Sequence, residues 1–107
     1  MDLDYFKKIR ILDGGMGQEL LARGMKPNGT LWSANALLNK NYHELLLNTH
    51  LDYIKSGADV ICTNTFTTRR VRLRDNGVED KFEYLNKKAG EIAKKSSRKI
   101  SSRQNCW

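Results

Sequence analysis

Ile11-Leu12-Asp13-Gly14-Gly15-Met16-Gly17, answered further along by Val60-Ile61-Cys62-Thr63-Asn64-Thr65-Phe66, decides how this chain is read. Each is a short apolar run that passes directly into glycine or polar residues, the layout of a parallel sheet that presents its chemistry at the carboxyl ends of its strands. Ile11-Leu12 is so short that it fits only a strand buried on both faces. Between the two runs, Asn41 to Ser56 predicts a helix. Tyr42, Leu46, Thr49 and Tyr53 fall at helical spacing beside Leu47, Leu51 and Ile54, Asn41 with Glu44 makes a capping-box-like start, and Gly57 is the stop. A connection of that length joins parallel neighbours, so the fold class is α/β.

Working outward, residues 1–9 read as a lead-in with a helical turn around Asp4 to Lys8. Glu19 to Arg23 predicts a short helix closed by Gly24, and Met25 to Thr30, with the single Pro27, a loop. Thr67 to Arg74 predicts a helical turn broken at Asp75-Asn76-Gly77. From Glu79 to Lys95 a second helix sets Val78, Phe82, Leu85, Ala89 and Ile92 on one stripe. Ser96 to Trp107 is Ser-rich and basic with no period, and is expected to be disordered. The expected organisation is a domain over 1–95 and a basic tail over 96–107.

A complete (β/α)8 barrel takes about 250 residues, so 107 residues correspond to an N-terminal fragment of about two βα units. The formal charge of +7 is unevenly spread. Lys94, Lys95, Arg98, Lys99 and Arg103 stand beyond the last acid, Glu91, and the preceding sequence is nearly balanced. A nucleic-acid binder would instead show a basic stripe interleaved with aromatics on a folded surface, so no nucleic-acid partner is expected. Cys62 and Cys106 form no Cys-x-x-Cys pair and no disulfide framework. No signal-peptide run and no membrane span is read, and the expected location is the cytoplasm.

Asp13 ends the first strand beside glycines that let a ligand approach the backbone. It serves equally well as a turn or helix-cap aspartate, because Asp-Gly is a common turn pair. Gly14 to Gly17 lacks the third glycine of a dinucleotide fingerprint and the Lys-Ser/Thr of a P-loop. Alternation turns Thr63 and Thr65 to one face and Asn64 to the other, where they line a site or cap the following turn. Trp32 walls a small-molecule pocket or covers the sheet end. His43 and His50, seven apart, have no ligand partners at metal spacing and read as outward-facing or packing residues. Cys62 reads as a buried small residue, and Arg69, Arg70, Arg72 and Arg74 as a solvated face.

Three ordered segments, Ile11 to Leu20, Gly29-Thr30-Leu31-Trp32-Ser33-Ala34 and Gly57 through Phe66, resemble the N-terminal portion of the zinc-dependent homocysteine S-methyltransferases over about residues 10–95. The Leu-Trp-Ser-Ala segment is most similar to the branch that uses S-methylmethionine. The resemblance implies a TIM barrel that transfers a methyl group to the homocysteine thiol to give methionine. It implies a zinc ion on three cysteine thiolates, which strips the proton from a thiol whose ordinary pKa is about 8.5. It also implies that Asp13 and Gly14 hold the homocysteine amino and backbone region, that Thr63 and, more weakly, Asn64 lie beside it, and that Trp32 walls the pocket. Gln18 stands where a threonine is common. The Gly-Gly-Cys-Cys segment that supplies zinc ligands has no match here, so the chain is expected to be a truncated, inactive fragment with no metal and no catalytic residue of its own. It is also expected to self-associate through open barrel edges. A different class, a small non-catalytic interaction protein whose basic tail binds an acidic partner, is distinguished by salt-sensitive binding that needs residues 96–107.

Overall fold

Helices dominate the chain because its clearest apolar stripes have helical period. The computed structural model describes residues 3–99. A 3-10 turn over Leu3–Lys7 leads into five α-helices: α1 (Met16–Ala22), α2 (Asn35–Leu38), α3 (His43–Lys55), α4 (Arg70–Asp75) and α5 (Phe82–Lys99). Further 3-10 turns cover Trp32–Ala34, Lys40–Tyr42 and Glu79–Lys81.

The long helix pair forms as its periodicity predicts. Leu46, Leu47 and Leu51 of α3 pack with Leu85, Ala89 and Ile92 of α5, and Leu20, Leu31 and Leu37 join the same core. At the end of α3, Gly57 has φ +117° and its amide bonds the Ile54 carbonyl, while the Ala58 amide reaches back to Tyr53. This paired closure needs a left-handed residue, which glycine adopts without a Cβ penalty. Gly24 closes α1 in the same way, with Met25 bonded to the Leu20 carbonyl.

Several expectations are corrected. The expected cap by Asn41 is not formed: Asn39 caps the 3-10 turn Lys40–Tyr42, its side chain accepting the Asn41 amide at 3.0 Å, and α3 follows from Tyr42 with no side-chain cap of its own. Residues 35–38, not foreseen as a helix, form α2. Helix α5 runs to Lys99, past the expected end at Lys95, and Ser96 is buried with its hydroxyl donating to the Ala93 carbonyl. Disorder therefore does not begin at Ser96, and positions 100–107 of the expected tail lie outside the described residues.

The largest correction concerns the sheet. Among the described residues the two expected strands reduce to one isolated parallel bridge, Leu12 to Val60. The Asp13 amide donates to the Val60 carbonyl at 3.1 Å, and the Val60 amide to the Ile11 carbonyl at 3.2 Å. Parallel order is thus observed, but extended strands and a barrel are not. Ile11 and Leu12, expected to be buried on both faces, are 58% and 59% exposed, while Ile61 packs inward with Ile54, Ala58 and Ala93. A two-segment pairing has no neighbours on its outer edges, so a residue pattern suited to burial in a wider sheet stays open to water. No helix among the described residues is long and apolar enough to cross a membrane.

Candidate functional site

The bridge brings the two sequence motifs side by side, and the residues after it diverge into a cleft of about 420 Å³. Asp13, Gly14, Trp32, Thr63 and Asn64 all line it, with Gly15 to Gln18, Ser33, Cys62 and Phe66. Residues far apart in sequence thus share one cavity of a size that takes small ligands.

Asp13 occupies the floor. Its Oδ2 accepts the Cys62 amide at 3.1 Å, tying the two motifs together just past the bridge. An ionised carboxylate offers about four lone-pair sites, so this bond leaves acceptor capacity facing the cleft. Cys62 is exposed and not the buried small residue expected, because it follows Ile61, which takes the inward position on alternation. Its thiol pKa is raised, first by partial burial in the cleft and then by the charge and hydrogen bond of Asp13. Both effects disfavour the thiolate, which argues against a nucleophilic role.

The glycine stretch is shaped by its neighbours. A Cβ on Gly14 would come 2.9 Å from the Tyr53 hydroxyl, and that hydroxyl donates to the Gly15 carbonyl at 2.9 Å. The Tyr53 pKa is raised, first by burial and then by Glu19 and Asp13. A Cβ on Gly17 would collide with the indole of Trp32. Sequence reading places Gly17 in the glycine loop and Tyr53 on the helical stripe but assigns neither to the site, because their roles here rest on contacts with residues distant in the chain.

Thr63 and Thr65 do share a face, with hydroxyls 3.1 Å apart. Asn64 turns the other way, is buried, and donates through Nδ2 to the Ser33 carbonyl at 2.8 Å. It lines the cleft while bracing the Trp32 segment. Trp32 is 39% exposed and has φ +56°, a left-handed backbone seen in no other non-glycine residue among those described. A bulky residue there carries strain that the surroundings must over-determine. The Arg72 guanidinium donates to the Thr30 carbonyl at 2.7 Å, so one member of the arginine cluster is not simply solvated.

His50 lies inside the protein with no exposed surface, and neither ring nitrogen has a hydrogen-bond partner among the described residues. Burial lowers its pKa to about 4, partly opposed by the Asp13 charge. It is a packing histidine held neutral, one of the two readings open from sequence. His43, half-buried, bonds the Leu37 carbonyl through Nε2 at 2.7 Å. Among the described residues no three His, Cys, Asp or Glu side chains gather as a metal site. A roomier cavity of about 550 Å³ lies on the helical side, lined by Lys40, Glu44, Lys88 and Glu91 among others. Its mixed charges, with Lys88 and Glu91 paired at 3.1 Å, make it a solvated groove remote from the motifs.

Comparison with known proteins bears on the cleft. The family profile described as homocysteine S-methyltransferase matches residues 10–107. The chain is 34% identical over 90 residues to a selenocysteine methyltransferase of Astragalus bisulcatus, covering 83% of this chain and 26% of that protein. It is 37% identical over 84 residues to a selenocysteine Se-methyltransferase of Brassica oleracea var. italica, covering 78% and 24%. It is 34% identical over 89 residues to a homocysteine S-methyltransferase of Escherichia coli (strain K12), covering 82% and 28%. The chain spans about a quarter of the length of these curated relatives.

Proposed function

The chain belongs to the homocysteine S-methyltransferase family, and on that premise we propose that its cleft recognises the amino-acid acceptor of a methyl transfer, homocysteine, which becomes methionine. The observation that carries the reading is that Asp13, Gly14, Trp32, Thr63 and Asn64, the positions assigned to the acceptor by resemblance, line a single cavity. In this proposal the Asp13 carboxylate receives the ammonium group as a charge-assisted bond. Gly14 keeps the backbone clear for close approach, Thr63 offers a hydroxyl beside the amino acid, and the Trp32 indole walls its side chain. Asn64 acts by holding Ser33.

We read the architecture as the opening of a TIM barrel whose carboxyl-end cleft this is, the partial domain expected over residues 1–95 continuing in its last helix to Lys99. The parallel order of the Leu12 to Val60 bridge supports that reading. Exposed Ile11, Leu12 and Phe66 support self-association of the isolated chain. A zinc site of three thiolates does not fit the residues present, since the sequence has two cysteines. S-methylmethionine remains the proposed donor.

Two relatives are named for selenocysteine, so the acceptor class is an amino acid with a terminal thiol or selenol. Titration calorimetry of the chain with homocysteine and with selenocysteine, under reducing conditions, tests the reading. Saturable binding that weakens about tenfold or more in Asp13→Ala is expected. Absence of binding, or equal affinity in Asp13→Ala, overturns it.

A further inference from the structure

Thr67 is not among the residues lining the acceptor cleft, yet its hydroxyl makes two buried hydrogen bonds to the backbone beside it. Oγ1 donates to the Leu31 carbonyl at 2.5 Å and accepts the Ala34 amide at 3.0 Å. These two bonds bracket Trp32 on both sides. Thr67 is buried, so water cannot substitute for it. Between the bracketed ends, Asn64 takes the Ser33 carbonyl, and Arg72 takes the Thr30 carbonyl just before them. The strained residue is thus held by successive backbone anchors, which is what a left-handed tryptophan requires.

What the anchors hold is a shared wall. Trp32 and Phe66 line both the cleft and an adjoining cavity of about 390 Å³ that also touches Gly29, Thr30, Thr67 and Arg72. The indole rests against Gly17, the glycine whose missing side chain makes room for it. With Phe66, it forms the wall common to the two cavities.

We propose that Thr67 is a positioning residue that fixes Trp32 as the partition between the two chambers, and so sets the fit of the amino acid in the first. The hydroxyl is the only part of Thr67 that can both give and receive a hydrogen bond. Valine keeps the shape and loses both bonds, leaving the Leu31 carbonyl and the Ala34 amide with only their mutual bond at 3.0 Å, whereas serine keeps the hydroxyl. With both bonds gone, the segment relaxes away from φ +56° and carries the indole off Gly17. The effect on ligand fit rests on the acceptor reading above; the effect on the indole does not.

The test uses the 107-residue chain with Trp107→Phe, which leaves Trp32 as the only indole, since the sequence has two tryptophans. Thr67→Val and Thr67→Ser are compared by acrylamide quenching of Trp32 emission and by homocysteine titration, with circular dichroism confirming retained helix. Gly17→Ala serves as a second variant, displacing the indole with Thr67 intact. The expected result is a quenching constant raised twofold or more in Thr67→Val and in Gly17→Ala, restored in Thr67→Ser, with homocysteine affinity falling about tenfold in the first two. Unchanged quenching in a folded Thr67→Val, or failure of serine to restore it, overturns the proposal. If Thr67→Val does not fold, unchanged quenching in Gly17→Ala or altered quenching in Thr67→Ser overturns it. If the unmutated chain binds no homocysteine, the acceptor reading fails, and the quenching series still decides whether Thr67 positions Trp32.

Discussion

Where α3 meets α5, Leu46, Leu85 and Ala89 have no surface left in contact with water, whereas at the paired segments Ile11 and Leu12 keep more than half of theirs. Both regions are built from apolar residues close together in the chain. The difference lies in where each finds its partners. An amphipathic helix needs one facing stripe, and two such stripes are present, so the seam closes. An extended segment in a parallel sheet needs a neighbour on each edge and cover on each face, and a single bridge supplies one edge.

The sharpest way to break this contrast is to truncate one leucine on each side. Leu46→Ala should cost about 2–5 kcal/mol of unfolding free energy, the range for a buried leucine. Leu12→Ala, already open to water, should cost less than about 1 kcal/mol. Urea titrations followed by circular dichroism measure both, and equal losses would mean that the two regions share one core.

Acid should also act on the helical side. His50 has a folded pKa of about 4 against 6.5 when unfolded, so between these values the unfolded chain binds the extra proton. Stability contributed by neutral His50 is therefore fully present above about pH 6.5 and is lost as pH falls towards 4. The shift corresponds to a loss on the order of 3 kcal/mol. In His50→Leu the part of the pH dependence between those limits should vanish; a stability curve of unchanged slope would show that His50 is not its source.

The smallest expected effect lies within the glycine stretch. Gly14→Ala must push against the Tyr53 hydroxyl and should cost about 1–3 kcal/mol. Gly15, with φ −66° and nothing within 4 Å of an added Cβ, should accept alanine within about 0.5 kcal/mol. Thermal melts of the two variants compare them directly.

The same contrast marks what could be read from sequence. The stripe Leu85, Ala89, Ile92 and the stop at Gly57 are local signals, and the helices follow them. Asp13, Gly14, Thr63 and Asn64 could be selected because each sits where an apolar run ends, and the bridge then sets the two groups side by side. The capping role of Asn39 was hidden because Asn41 offered a competing cap two residues later. The exposure of Cys62 depends on which face Ile61 takes, and the fit of Gly17 against Trp32 depends on a loop closure. Neither is a property of a sequence window. The bonds from Thr67 to Leu31 and from Arg72 to Thr30 cross more than thirty positions, beyond any periodicity.

The solitary bridge also has a consequence in time. Parting Leu12 from Val60 breaks a few backbone bonds and leaves every helix intact, whereas parting α3 from α5 dismantles the core. The floor of the cleft can therefore open and reclose many times for each excursion of the whole molecule, and the two motions are free to run on separate clocks.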